Sequence, residues 1–338
     1  MSLSDPTAVL TEAEFRAAAA RVRNWGRWGA DDQLGTLNFI TPETVAGSAS
    51  CVRRGKIFPL GIDFAADGVW SGHSFRRNPV HLMTVDGGDS AALLGHLLAN
   101  PNLSPALTSS RWGSALAKFN DDMIIMPLQA ASQWDALSHV YYDEQLYNGF
   151  PASAVTSAGA ARLSIDQVDA RGIVGRGILI DLARGRGLEH LPARAAVDPE
   201  ELDEVVVRQG VSMQSGDILL VRTGWWTQFR GSREGDRWRA DAPGLSWRCA
   251  QWLHAHDVAA VAADNIAVEV TSGGAGEVAM PMHLLCLRDM GLMFGEMWDL
   301  EALAADCAAE GSYDCQLVAP PLRVIGAVGS PVNPIALR

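Results

Sequence analysis

The sequence predicts an α/β protein with one main domain. In the second half of the chain, short apolar strands alternate with helices, which is the pattern of an α/β fold. The 338 residues contain no internal repeat, no low-complexity linker and no sharp change of composition that would separate two domains. We therefore predict an amino-terminal helical arm over residues 1–55 and a single α/β domain over residues 56–338.

The first half of the chain begins with a helix. Thr11 and Glu14 form a T-x-x-E capping box ahead of the amphipathic stretch FRAAAARVR. After an irregular segment rich in Gly and Trp, Thr41 caps a second helix that Pro42 opens. The stretches KIFPLGIDF, VHLMTVD and DDMIIMPLQ predict strands, and the apolar run of the last one predicts that it is buried.

The second half of the chain carries the alternation on which the fold class depends. The stretches GILIDLA, DILLVRTG and VAAVAADN predict strands, and DPEELDEVVVRQG and SWRCAQWLHAHD predict helices between them. Downstream, MHLLCLRDM and LEALAADCAAEG predict helices, while GLMFGEMW and YDCQLVAPPL predict extended segments. These elements place an α/β sheet in the second half of the chain.

Composition and charge exclude some classes of partner. The formal charge of −12, from 27 basic and 39 acidic residues, argues against nucleic acid and anionic membranes as partners. The amino terminus lacks the basic flank and apolar stretch of a signal peptide, and no window approaches the roughly 18 apolar residues of a membrane span. The cysteines form no CxxC pair, so we expect reduced thiols in a cytoplasmic protein.

Four polar residues in apolar surroundings are candidate metal ligands. Asp135 and His139 follow the apolar run MIIMPLQAA, His283 follows VAMPM, and Glu296 lies in MFGEMWDL. Burying such groups costs several kcal/mol unless a partner compensates them. A mixture of carboxylate and imidazole ligands suits Zn²⁺ or Mn²⁺ better than Ca²⁺ or Mg²⁺. The alternative is a salt-bridged Asp135–His139 turn and an unrelated histidine.

Three stretches of the chain resemble the putative cyclase family, which includes bacterial kynurenine formamidase and isatin hydrolase. They are SQWDALSH, the pair PMHLL and GEMWDL, and the closing LVAPPLRVIGAVGSPVNPIAL. The family hallmark HxGTHxDxPxH falls on residues 129–139, with its Asp on Asp135 and its last His on His139. The later ligands fall on His283 and Glu296. The resemblance implies a swivelling β/β/α fold, with a mixed central sheet and flanking helices.

The chain departs from the hallmark where the family carries two further histidines. Gln129 and Gln133 stand at those positions, and amides are weaker metal ligands than imidazoles. We therefore expect one divalent ion, Zn or Mn, rather than the two zinc ions of the formamidases. Its expected ligands are Asp135, His139, His283 and Glu296, while the two glutamines are candidates for weak ligands or substrate contacts. The alternative is a chain that has lost its metal.

The resemblance implies hydrolysis of an amide, imide or lactone bond in a small cyclic or aromatic substrate. A metal ion would lower the pKa of its water to about 7 and polarise the carbonyl group. His139 or Glu296 would act as the general base. Two alternatives stay open: a lyase or isomerase, such as a dehydratase or cyclase, that uses the same site, and a non-catalytic small-molecule binder.

Substrate contacts and assembly are expected from weaker indications. Aromatic and polar side chains that could line the pocket are Trp28, His81, Trp134 and Tyr142, although His81 also fits a buried structural histidine. The resemblance implies a homodimer or homotetramer. A small molecule is the expected partner.

Overall fold

The predicted alternation of strands and helices builds a large mixed sheet. The computed structural model describes residues 10–71, 75–88, 102, 119–170, 172–271 and 277–338. The strands described are β1 (Ile57–Pro59), β2 (Val80–Val85), β3 (Asp121–Ile125), β4 (Gln133–Asp135), β5 (Val155–Thr156), β6 (Gly159–Ala160), β7 (Val174–Asp181), β8 (Ala196–Val197), β9 (Ile218–Arg222), β10 (Gly244–Leu245), β11 (Ala260–Ala263), β12 (Met293–Glu296), β13 (Asp314–Val318), β14 (Gly329–Pro331) and β15 (Ile335–Leu337).

Nine of these strands form the central sheet, in the order β1-β15-β13-β7-β9-β11-β12-β4-β14. The four strands β7, β9, β11 and β12 are parallel, and the strands outside them pair antiparallel. Parallel neighbours require long crossover connections, and the helices of the second half supply them. All five residues of β9 are buried, in agreement with its continuous apolar sequence.

Helices cover both faces of the sheet. They are α1 (Glu12–Val22), α2 (Pro42–Ser48), α3 (Leu182–Gly185), α4 (Pro199–Arg208), α5 (Trp225–Ser232), α6 (Gly235–Ala240), α7 (Cys249–Ala255), α8 (Pro281–His283) and α9 (Glu301–Glu310). Short 3₁₀ helices span Gly35–Phe39, Ala49–Cys51, Tyr147–Gly149, Ala152–Ala154 and Ile165–Ala170, and a π-helical segment, Leu284–Met290, continues α8. The predicted α/β fold with a mixed sheet and flanking helices is confirmed.

Two apolar cores lie on opposite faces of the sheet. Ile178 and Ile180 of β7 join one core, which also contains residues of α1, α4 and α7. Leu179 joins the other core with residues of α9. This division follows from the alternation of side chains along a strand. The amino-terminal helix therefore packs on the same core as the central strands.

Both predicted helix caps are confirmed. Thr11 and Glu14 form the capping box of α1, and Thr41 caps α2, whose first residue is Pro42. Elements that the sequence did not predict include α5, α6, β5, β6, β14 and β15. None of the helices in the described ranges combines the length and the hydropathy of a membrane-spanning segment.

The prediction for the stretch DDMIIMPLQ is wrong in both burial and extent. Strand β3 ends at Ile125 and pairs with β2 in a separate two-stranded sheet, where all five of its residues are exposed. Asp135 lies instead in β4, a short buried strand of the central sheet. A continuous apolar run indicates burial only if the tertiary fold covers the strand, and here Met123 is 43% exposed.

Candidate metal centre

Three predicted ligands converge in the buried interior. Asp135 ends β4, Glu296 ends β12, and His283 ends α8. One ligand atom from each residue lies within 4.8 Å of the ligand atoms of the other two. All three side chains are at most 3% exposed. A buried group of this kind can hold one cation.

The register of the sheet aims the two carboxylates at the same space. Strand β4 lies between β12 and β14, and Gln133 is directly opposite Glu296. Side chains alternate between the two faces of a strand, so Gln133 and Asp135 project from one face and Trp134 from the other. Two short antiparallel strands therefore bring together residues that are far apart in the chain.

Each carboxylate has one oxygen held by Gln133 and one that faces His283. The Gln133 amide donates to Asp135 Oδ1 at 3.1 Å and to Glu296 Oε2 at 2.8 Å. The His283 Nε2 atom lies 3.2 Å from Glu296 Oε1 and 3.9 Å from Asp135 Oδ2. Asp135 Oδ2 is buried and makes no hydrogen bond, and neither does Gln133 Oε1. An unpaired buried carboxylate oxygen next to an imidazole nitrogen fits a metal ion.

The donor set agrees with the predicted class of metal. Two carboxylate oxygens and one imidazole nitrogen are ligands that Zn²⁺ and Mn²⁺ accept in proteins. Three protein ligands also leave a coordination position for water, which a catalytic ion requires. The residues present therefore fit an ion that keeps a position for water.

Glu269 holds His283 in place, and sequence reasoning missed it. Its carboxylate lies 2.5 Å from His283 Nδ1 and accepts the backbone N–H groups of Met282 and His283. Because Nδ1 of His283 makes the hydrogen bond to Glu269, Nε2 is the ring nitrogen that faces Asp135 and Glu296. Glu269 is 14 residues from His283, and its neighbours in the stretch NIAVEV give no spacing pattern that would mark a hydrogen-bond partner of a metal-binding histidine.

The loop that carries Glu269 is itself fixed by buried polar contacts. Asn265 Oδ1 accepts the backbone N–H of Val268 at 2.7 Å, and Val268 has a φ of +59°. A Cβ atom on Gly244 would lie 2.4 Å from the carbonyl carbon of Glu269, so only glycine permits this close approach. Glu269 is 4% exposed as a result.

We expect Glu269→Gln to lower the affinity for Zn²⁺ about 10- to 100-fold, as is typical when a carboxylate behind a metal-binding histidine is lost. The amide retains a hydrogen-bond acceptor but removes the negative charge beside the ring. Zinc titration of the purified variant measures the change. Glu277→Gln, at an exposed position, is the control and should bind zinc like the wild type. Equal affinity in all three proteins would rule out a positioning role for Glu269.

The carboxylates and the imidazole compete for protons in this buried space. Burial disfavours the charged form of His283, but its hydrogen bonds to Glu269 and Glu296 outweigh burial and raise its pKa to about 10. Burial and the charge of Asp135 raise the pKa of Glu296 to about 7. The site therefore needs positive charge, which protons or a divalent cation can supply.

Metal affinity should consequently rise with pH. A metal ion must displace the Nε2 proton of His283, whose pKa is about 10, so protons compete throughout the range from pH 6 to pH 8. We expect roughly a tenfold gain in zinc affinity per pH unit for each displaced proton. Calorimetric titration in buffers of different ionisation enthalpy measures both the affinity and the proton release. A pH-independent affinity would contradict a protonated His283 in the metal-free protein.

His139 lies beside the three-ligand group rather than in it. Its Nε2 atom is 3.9 Å from Asp135 Oδ1, the oxygen that Gln133 already holds. Burial lowers the pKa of His139 and outweighs the charge of Asp135. The side chain keeps 16% exposure. The four predicted ligands thus divide into three that share one space and an adjacent imidazole that stays neutral near pH 7.

The other predicted contact residues lie in different places. A Cβ atom on Gly329, which is opposite Asp135, would lie 2.6 Å from Gln129 Nε2, so Gln129 lies on the ligand face of the sheet. Trp134 is fully buried on the other face, where its indole donates to Ala319 O. The structure therefore brings Gln129 to the site and does not bring Trp134 there.

Three further residues make contacts outside the ligand group. His81 lies on the exposed strand β2, where it pairs with Asp122 and not with buried groups. The Tyr142 hydroxyl donates to Asp289 at 2.7 Å. Trp28 packs against Phe39 in the amino-terminal segment.

Comparison with known proteins gives matches to one family. The family model described as putative cyclase matches residues 67–270. A crystal structure described as a novel cyclase has a TM-score of 0.81 and 38% identity, and the alignment covers 94% of this chain and 100% of that one. Among curated proteins, no significant match is found.

Two isatin hydrolases have a similar fold. Isatin hydrolase A from Labrenzia aggregata, solved with benzyl benzoate, has a TM-score of 0.59 at 16% identity over 87% of this chain and 97% of its own. Isatin hydrolase A from Ralstonia solanacearum has a TM-score of 0.58 at 15% identity over 88% and 97%. The family model and the 38% identical structure together show that this chain belongs to the putative cyclase family.

Proposed function

We propose that this chain is a metal-dependent hydrolase of a C–N bond in an amide or imide, or of a lactone C–O bond. The observation that supports it most is the buried group of Asp135, His283 and Glu296, with a neutral imidazole next to it. Membership of the cyclase family, in which the similar folds include isatin hydrolases, agrees with hydrolysis.

The chain's own residues divide the work of binding and proton transfer. Asp135 Oδ2, Glu296 Oε1 and His283 Nε2 would hold one Zn²⁺ or Mn²⁺ ion. Bound there, the ion would polarise the substrate carbonyl and lower the pKa of water. Gln133 fixes the remaining carboxylate oxygens, so that each ligand presents one atom.

His139 is the general base in this proposal. Its imidazole is neutral near pH 7, because burial lowers its pKa, and its exposed edge lets it reach a substrate. It takes a proton from the attacking water and returns it to the leaving nitrogen or oxygen. Glu296 is the alternative base. Its Oε1 atom lies 3.2 Å from His283 Nε2, so Glu296 suits the role of a metal ligand better.

The test of the proposal is a substrate screen with the metal-loaded chain. Aryl formamides, cyclic imides and lactones are incubated with the protein, and product masses are recorded. Hydrolysis adds one water to the substrate, whereas a lyase or isomerase does not. Activity should disappear after chelation and return with added Zn²⁺ or Mn²⁺. Full activity in the chelated protein, or products without added water, would overturn the proposal.

A further inference from the structure

The amide of Gln133 bridges the two carboxylates of the metal centre. Its nitrogen donates to Asp135 Oδ1 at 3.1 Å and to Glu296 Oε2 at 2.8 Å, so both of its N–H groups are in use. The side chain is fully buried, and its neighbours in the sheet are Glu296 on β12 and Pro331 on β14. The amide is therefore held at the ligand group, away from solvent.

The orientation of this amide follows from the charges around it. In the opposite orientation, Gln133 Oε1 would face two carboxylate oxygens, and acceptors that face one another repel. The observed orientation gives the carboxylates two donors and leaves Oε1 as the free end of the same planar group. Gln133 therefore presents a hydrogen-bond acceptor beside the carboxylates.

That acceptor has no partner within the chain. Gln133 Oε1 is buried, and no donor among the residues that the structure describes makes a hydrogen bond to it. Leaving a buried amide oxygen without a donor is costly, so an atom of this kind points to a ligand that supplies the donor. The ligand group must be an N–H or an O–H, because an amide oxygen can only accept.

The proposed base lies at the same carboxylate oxygen as this amide. His139 Nε2 is 3.9 Å from Asp135 Oδ1, the atom to which Gln133 Nε2 donates at 3.1 Å. In the proposed reaction, His139 returns a proton to the leaving nitrogen or oxygen of the substrate. The leaving atom then lies next to His139, and hence within reach of the Gln133 amide.

We propose that Gln133 Oε1 accepts the N–H of the scissile group, so that the site takes amides, lactams and imides with a free N–H and rejects lactones. The inference rests on the proposed function and narrows its substrate class. A lactone or an N-alkylated imide carries no donor at that position and would leave Oε1 unpaired. A site that bonds a substrate N–H discriminates against an isostere without it far more than an apolar pocket does.

The test is the binding of three bicyclic probes to the zinc-supplemented chain by calorimetry. Isoindolinone carries a lactam N–H, indanone has a methylene group in its place, and N-methylisoindolinone keeps the lactam carbonyl without the N–H. We expect the wild type to bind isoindolinone about tenfold more tightly than either analogue, as one buried hydrogen bond allows. Gln133→Met, which has a similar volume and no amide oxygen, should bind the three probes alike.

The matched control is Gln209→Met. Gln209 also has a buried Oε1 without a hydrogen bond, and its nitrogen donates to Leu179 O on β7, which β9 and β11 separate from β12. This variant should keep the wild-type preference for isoindolinone. If Gln133→Met does not fold by circular dichroism, Gln133→Asn takes its place, because it withdraws the amide oxygen by one methylene group. If neither variant folds, the wild-type preference decides.

The outcomes separate this inference from the proposed function. Equal binding of the three probes by the wild type, no binding of isoindolinone, or an equal loss of preference in Gln209→Met would overturn the role of Gln133. So would a loss of affinity in Gln133→Met by the same factor for every probe, which is what a purely structural role predicts. A Gln133-dependent preference without hydrolysis of any substrate would support this inference and reject the hydrolase. Hydrolysis of lactones as fast as of amides would do the reverse.

Discussion

His139→Gln should bind zinc like the wild type and lose about 10²- to 10⁴-fold in kcat, the usual contribution of a general acid–base residue. The expectation follows from geometry, because the imidazole lies outside the three-ligand group but 3.9 Å from Asp135. Metal analysis and steady-state kinetics on the same preparation measure both quantities. The acidic limb of the wild-type pH–rate profile should also report a group with a pKa below the usual histidine value.

The matched control for this variant is His254→Gln. Burial also lowers the pKa of His254, which is half-buried and bonded to Asn24 away from the ligand group. Its replacement should leave both kcat and zinc content unchanged. A loss of zinc in His139→Gln would instead make His139 a ligand, and an unchanged kcat would remove it from the mechanism.

Asp135→Ala should abolish metal binding and hydrolysis together. The substitution removes a buried ligand oxygen and leaves the Gln133 amide without one of its two acceptors. Loss of a buried hydrogen-bond partner costs about 1–3 kcal/mol, so a lower unfolding temperature is expected as well. Elemental analysis, an activity assay and thermal unfolding follow the three effects.

A folding defect and a metal defect can be separated with Asp135→Asn. The amide preserves the volume of the side chain but is a weaker ligand, so the variant should fold and still lose zinc. Asp122→Asn, on the exposed strand β3, should change neither property. Zinc-dependent activity in a well-folded Asp135→Asn protein would show that Asp135 is not a ligand.

Local sequence signals predicted the helices and strands whose formation depends on nearby residues. The capping residues Thr11 and Thr41 fixed the starts of α1 and α2, because a cap satisfies the first N–H groups of its own helix. The apolar run of β9 formed the predicted strand, and all five of its residues are buried. By contrast, MIIMPL gave the same signal but formed the exposed strand β3, because apolar composition does not reveal what covers a strand.

The residue types of the site were also determined by the sequence, since carboxylates and imidazoles in apolar surroundings require compensation. The sequence did not determine the separate role of each residue. Only the pairing of β4 between β12 and β14 decides that Gln133 spans two carboxylates and that Trp134 faces away. Only the packing of a distant loop places Glu269 behind His283. The sequence by itself therefore indicated which groups are candidates to hold a cation, whereas long-range contacts, which no local spacing encodes, decided which of their atoms face one another.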